Sequence, residues 1–208
     1  MIINKKLYNY IINLTNDKEY KYLKKIRNKK YNNINKKNMS DFLQGRFLSI
    51  ISRIKNPKYI LEIGTFIGYS SLCLCEGLKK KGKLITIEKN KKIFKYAINN
   101  ISNTKYKNKI KILLGNALNI IPKLNIKFDI IFIDADKKNY INYLNLIKNK
   151  IKKKGIILVD NVLWKGLIIK NKKDKITKII NNFNIELKNK NYNNIILPIR
   201  DGINLIIN

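Results

Sequence analysis

Histidine is absent from the 208 residues, cysteine occurs twice, and acids number 13 against 45 basic residues. Without histidine the chain lacks the side chain that titrates nearest neutrality, so any general base belongs to another residue type. Cys73 and Cys75 lie two apart in a helical stretch and point in different directions. That excludes a paired metal site and leaves buried free thiols, which suit a reducing compartment. Arginine is scarce too, supplying four of the basic residues. A formal charge of +32 ordinarily points to a polyanionic partner. Here the excess is lysine scattered with Asn and Ile, three types that share A/T-rich codons, whereas phosphate recognition favours arginine forks. The charge permits nucleic-acid binding without demonstrating it. No uncharged apolar run approaches the roughly 18 residues of a membrane span. The first residues, Met1 to Lys6, show neither an apolar signal core nor a small-residue cleavage site. The expectation is a soluble, cytoplasmic chain with no membrane partner, one domain long enough to fold without disulfides.

Apolar periodicity divides the chain. Residues 1–35 are lysine-rich with Ile, Leu and Tyr at helical spacing, which predicts one or two small helices outside a main core of 36–208. Ser40 and Asp41 are N-cap candidates for a helix carrying Phe42, Leu43, Phe47, Leu48 and Ile51 on one face, stopped by Pro57. Strand-length apolar runs follow at Tyr59–Ile63, 84–87, Ile110–Leu114, 130–133 and 156–159, with helices predicted near 69–80, 91–101, 117–123 and 139–150. That alternation predicts a parallel, doubly wound α/β sheet with helices on both faces. The end differs. After a helix near 173–183, the runs 195–197 and Ile203–Ile207 are separated only by Pro198 to Gly202, a turn-length link that makes these two strands antiparallel.

Two strand exits carry acids. Phe128-Asp129-Ile130-Ile131-Phe132-Ile133 runs into Asp134-Ala135-Asp136-Lys137, and Val159 into Asp160-Asn161. A charge is costly inside a sheet unless it sits at the strand's end, and the carboxyl edge of an open α/β sheet is where ligands bind. Asp134, Asp160 and Asn161 brought together there supply oxygen donors for a hard cation such as Mg²⁺ or Ca²⁺. The plainer alternative is that these residues only end strands and cap helices. Two acidic exits in one sheet, with a lysine three residues after the first, favour the cation site.

Gly64 and Gly68 stand where the first strand turns into its helix and let the backbone approach a ligand closely. Glu88 ends the next strand, where an acid typically receives ribose hydroxyls. Phe66 and Tyr69 occupy positions that the dinucleotide pattern G-x-G-x-x-G gives to glycine, and the P-loop signature is missing. With no pyrophosphate cradle, a nucleoside such as S-adenosylmethionine fits better than NAD or ATP. Gly115-Asn116-Ala117 at the third strand's exit is placed to lie against the adenine.

These residues bring the chain to a known family. Leu61-Glu62-Ile63-Gly64-Thr65 followed by Gly68-Tyr69-Ser70, the Asp134-Ala135-Asp136-Lys137 segment with Tyr140, Asp160-Asn161-Val162-Leu163-Trp164, and Leu197-Pro198-Ile199-Arg200-Asp201-Gly202 resemble the cation-dependent O-methyltransferases. That group contains the catechol and caffeoyl-CoA enzymes and small bacterial relatives. The likeness runs from about Met39 to the C-terminus. It implies a class I, Rossmann-like methyltransferase fold of seven strands, the last antiparallel. It implies Asp134, Asp160 and Asn161 as ligands of a divalent cation (Mg²⁺, with Ca²⁺ or Mn²⁺ as substitutes). Ser40, Glu62, Gly64, Thr65, Ser70, Glu88, Ala117 and Asp136 are implied around S-adenosylmethionine, and a homodimer is implied. Glu88 is Asp in many relatives. Lys165 replaces a residue that is often Asn or Asp where relatives contact substrate.

The implied chemistry is methyl transfer to a hydroxyl whose pKa the cation lowers. Lys137 is the base candidate, because relatives carry lysine at this motif position; it can serve only if its pKa is depressed. Trp164 is either a wall of the acceptor pocket or a core tryptophan at a strand exit. The acceptor is a catechol-like or hydroxycinnamoyl-type small molecule, with tRNA 5-hydroxyuridine as the alternative. A non-catalytic, basic nucleic-acid-binding protein is a further reading, under which Asp134, Asp160 and Asn161 are dispensable. A nicotinamide dehydrogenase is disfavoured by the missing glycines.

Overall fold

The computed structural model describes residues 4–32, 34–35, 39–170, 174–190 and 192–208. The N-terminal part forms α1 (Lys5–Leu14) and α2 (Lys21–Asn28), and then α3 (Phe42–Lys55) leads into the alternating region. There β1 (Tyr59–Ile63), α4 (Tyr69–Cys75), β2 (Lys83–Glu88), α5 (Lys91–Ser102), β3 (Ile110–Leu114), α6 (Ala117–Ile120) and β4 (Phe128–Ile133) follow in order. The remainder is α7 (Tyr140–Ile147), β5 (Ile151–Asp160), α8 (Lys175–Asn189), β6 (Asn193–Leu197) and β7 (Ile203–Ile207).

The strands form one sheet in the order β3-β2-β1-β4-β5-β7-β6. β1 to β5 pair in parallel, and β7 runs antiparallel to both β5 and β6. Only β7 is reversed, as the turn-length link from β6 predicts. Both faces of the sheet are buried at its central strands, and the pleat decides which residue goes where. Ile60, Ile130 and Phe132 join a core with α2, α3 and α4, while Leu61, Ile63, Ile131 and Ile133 join one with α7 and α8. Strand order reverses between β1 and β4, so the ends of these two strands open a crevice.

Several elements differ in length from the sequence expectation. α4 stops at Cys75 rather than 80, and the chain then passes α3 so closely that a Cβ on Gly77 would lie 2.1 Å from the Ser52 carbonyl carbon. α7 ends at Ile147, preceded by a 3₁₀ turn at Lys137–Asn139, because β5 starts five residues before its apolar run. Three of those five residues, Lys152 to Lys154, are lysines, and Lys152 places its Nζ 2.9 Å from Asp129. The expected start of α8 at 173 lies outside the described residues; the helix is capped by Asp174 and continues to Asn189 because Phe183 and Leu187 are buried. Asp41, of the two N-cap candidates, caps α3. Cys73 and Cys75 are buried free thiols. Among the described residues, no helix is long and apolar enough to cross a membrane.

Candidate active site at the strand switch point

Gly64 carries the turn from β1 to α4 with φ +101°, and a Cβ there would stand 2.1 Å from the Asp134 carbonyl oxygen. The Asp134 N–H donates to Ile63 O at 2.9 Å, so the two strand exits are stitched together. Beside them opens a cavity of about 510 Å³ lined by Gly64, Glu88, Ala117 and Asp136 from the predicted cofactor set, and by Asp134, Lys137, Asn161, Trp164 and Lys165. Ser40, Thr65 and Ser70 instead border a recess of about 10 Å³ that shares Phe66 and Asp134 with the main cavity.

Glu62 lines neither space. It is fully buried, and its carboxylate receives hydroxyls from Ser70 at 2.6 Å, Thr86 at 2.6 Å, and Ser71. Burial pushes its pKa up to about 7 against those three hydroxyls, and the charge of Asp134 adds to the rise. Its work is to tie α4 to β1 and β2 behind the cavity. Glu88 is aimed differently: its two oxygens take the Phe66 N–H at 2.9 Å and the Asn90 N–H at 2.8 Å, which fixes the carboxylate at the cavity wall. Asp136 accepts from the Tyr143 hydroxyl at 2.6 Å and from the Asn139 amide, with Lys89 Nζ 3.7 Å away. Burial opposes its ionisation, but these donors hold the carboxyl below the usual range.

Ile133 pairs with Val159 in adjacent parallel strands, so Asp134 and Asp160 emerge side by side. Asp160 is fully buried and does not itself line the cavity. Its Oδ1 accepts from Asn161 N at 2.7 Å and its Oδ2 from Gln44 Nε2 at 2.8 Å, while Tyr140 donates to its carbonyl at 2.8 Å. Burial and then the neighbouring Asp134 charge push its pKa up to about 7, with Lys137, Gln44 and Arg200 pulling the other way. Asn161 lies at φ 60° and lines the cavity. Among the described residues no group of three His, Cys, Asp or Glu side chains is placed to hold a metal; the predicted set is two carboxylates and an amide.

Lys137 Nζ lies 3.3 Å from Asp134 Oδ1, 3.1 Å from Ala135 O and 5.4 Å from the centre of the Tyr140 ring. Burial disfavours its charge, but Tyr140, Asp134 and Asp160 outweigh burial and hold its pKa above the ordinary lysine value. These neighbours work against the depressed pKa that a free base requires. Trp164 is half-buried and borders the cavity, unlike a core tryptophan. Trp164, Lys165 and Gly166 are consecutively left-handed, at φ 44°, 58° and 75°, and Lys165 Nζ stands 6.0 Å from the Trp164 ring centre. Lys89, Tyr143 and Arg200 also line the cavity and were not foreseen; Arg200 sits in the β6–β7 turn and donates to Gln44 Oε1 at 3.2 Å. Nothing in the local pattern around Gln44 marks it, because its partners Asp160 and Arg200 lie 116 and 156 positions away.

This sheet order, with its reversed last strand and crevice beside β1 and β4, is that of the class I methyltransferases. The family model described as O-methyltransferase matches residues 13–208, and the chain belongs to that family. Caffeoyl-CoA O-methyltransferase 2 of Petunia hybrida is 34% identical over 132 residues, 61% of this chain and 54% of that protein. Catechol O-methyltransferase of Niastella koreensis is 35% identical over 130 residues, 61% and 59% of the two chains. The matching region thus spans little more than half the length of these curated relatives. An SAH-bound methyltransferase of Podospora anserina superposes with a TM-score of 0.86 at 25% identity, covering 99% of this chain and 97% of that one. An O-methyltransferase from Bacillus cereus in complex with SAH superposes at 0.83 with 24% identity, covering 97% and 96%.

Proposed function

We propose that the chain transfers the methyl group of S-adenosylmethionine to a hydroxyl of a catechol-like or hydroxycinnamoyl-type small molecule, with a divalent cation as cofactor. The observation that carries this reading is the juxtaposition of Asp134, Asp160 and Asn161 beside a cavity that Glu88 also lines. The residues fit a cation: two neighbouring carboxylates, one wholly buried with its pKa raised, gain stability from added positive charge. They also fit the nucleoside, since Gly64 turns the backbone at the cavity wall and Glu88 is pinned with lone pairs remaining for ribose hydroxyls. Asp134, Asp160 and Asn161 would hold the cation, which when bound lowers the pKa of an acceptor hydroxyl and orients it.

The chain's own groups supply the rest. Gly64, Ala117 and Asp136, with Ser40, Thr65 and Ser70 at the adjoining recess, surround the donor; Trp164 gives the acceptor an apolar wall. Lys137 is the base candidate, and it can take a proton only once the pull of Asp134 and Asp160 on its ammonium is relieved. A homodimer belongs to the same proposal: α1 buries none of its residues and exposes Leu7, Tyr10 and Leu14 along one face.

One observation favours the second acceptor, tRNA 5-hydroxyuridine. Lys89, Lys137, Lys165 and Arg200 all line the cavity, a density of cations suited to a phosphate-bearing substrate. Labelled methyl transfer from S-adenosylmethionine, offered in parallel to a simple catechol and to tRNA carrying unmethylated 5-hydroxyuridine, separates the readings. Label in the catechol alone supports the first reading, label in the tRNA alone replaces it with the second, and label in neither removes both acceptors.

A further inference from the structure

Gln44 is a polar side chain with no exposed surface, carried on α3 and reaching two segments remote in sequence. Its Nε2 donates to Asp160 Oδ2 at 2.8 Å, and its Oε1 accepts from Arg200 Nη1 at 3.2 Å. A carboxylate on one side and a guanidinium on the other leave the amide a single orientation. Turned over, it would set oxygen against carboxylate and NH₂ against guanidinium. A buried glutamine is expensive unless both ends are satisfied, and this one is satisfied by a buried carboxylate and a guanidinium rather than by apolar neighbours. Packing alone therefore does not account for it.

We infer that Gln44 is a positioning residue for Asp160, an inference that rests on the cation reading of the site. With Asn161 N–H on Oδ1 and Gln44 on Oδ2, the Asp160 carboxylate is pinned at both oxygens, and the Tyr140 hydroxyl fixes its main chain. Two of its roughly four lone-pair directions stay available. Arg200 completes the relay by orienting the amide, which links the β6–β7 turn at the cavity to a carboxylate that does not line it. Partners of this kind around metal ligands typically change metal affinity about 10- to 100-fold when removed.

The test uses the full chain with Mn²⁺ as the probe, measured by calorimetry on the wild type, Gln44→Met and Arg200→Met, with S-adenosylhomocysteine binding and thermal midpoint followed in parallel. Gln44→Met keeps the volume and loses both hydrogen bonds. The expected result is Mn²⁺ binding weakened about 10- to 100-fold, with S-adenosylhomocysteine affinity unchanged within about twofold, and a smaller loss for Arg200→Met. Unchanged Mn²⁺ affinity in Gln44→Met overturns the inference and leaves the cation reading intact. Should Gln44→Met not fold, Arg200→Met decides, and wild-type affinity there overturns it. A wild type that binds no Mn²⁺ removes the cation reading, and this inference with it, before any variant is compared.

Discussion

Lys137 places its ammonium 3.3 Å from Asp134 Oδ1, three residues earlier on the same strand exit. The pair is nearly enclosed, so its charges are screened far less than a surface bridge. Whether Lys137 acts as a base or only as a counter-ion is separable. Lys137→Arg keeps the positive charge but cannot deprotonate near neutral pH. If Lys137 is the base, kcat falls about 10²- to 10⁴-fold in this variant while S-adenosylhomocysteine binding holds. Near-wild-type kcat would reduce Lys137 to a counter-ion.

Glu62 gives a pH prediction. Its folded pKa of about 7 exceeds the ordinary carboxyl value, so the folded state holds the proton more tightly than the unfolded one. Stability is then lost as pH rises from the ordinary value through about 7, on the order of 3 kcal/mol for a shift of this size. Glu62→Gln removes that ionisation. Its thermal midpoint relative to wild type is expected to climb between pH 5 and pH 8, as followed by circular dichroism. A constant difference across that range would mean that Glu62 titrates normally.

Gly64→Ala meets two obstacles at once: φ +101° and the Asp134 carbonyl 2.1 Å from the new Cβ. The backbone strain alone costs about 1–3 kcal/mol, and relieving the overlap would part the β1 and β4 exits. Urea denaturation should show the loss, and calorimetry should show S-adenosylmethionine binding weakened together with it. Full-strength binding in a destabilised variant would place the nucleoside away from this turn.

Much of the site was legible because its residues sit at strand ends, where an apolar run stops abruptly at an acid. Asp134, Asp160 and Glu88 announce themselves that way, and Gly64 does so by falling at a strand-to-helix turn. Glu62 stands in a conspicuous motif, but its three hydroxyl partners, Ser70, Ser71 and Thr86, come into view only in the fold. The length of β5 was hidden by three lysines whose charges reach water or Asp129 while the backbone stays in the sheet. The raised pKa of Lys137 and the link from Gln44 to Arg200 depend on contacts between distant segments, which no local spacing encodes.

Asp160 tests the cation directly. Asp160→Asn removes a buried charge while keeping the residue's shape, so without added metal the variant is expected to be at least as stable as wild type. Added Mg²⁺ should raise the wild-type midpoint and leave the variant's unmoved. Labelled methyl transfer to a catechol, run on wild type and Asp160→Asn with Mg²⁺ or with chelator, is the measurement to make. Turnover in wild type that chelator abolishes and Mg²⁺ restores, with none in the variant, is the predicted result. Turnover indifferent to chelator and to the loss of Asp160 would contradict a cation at Asp134, Asp160 and Asn161.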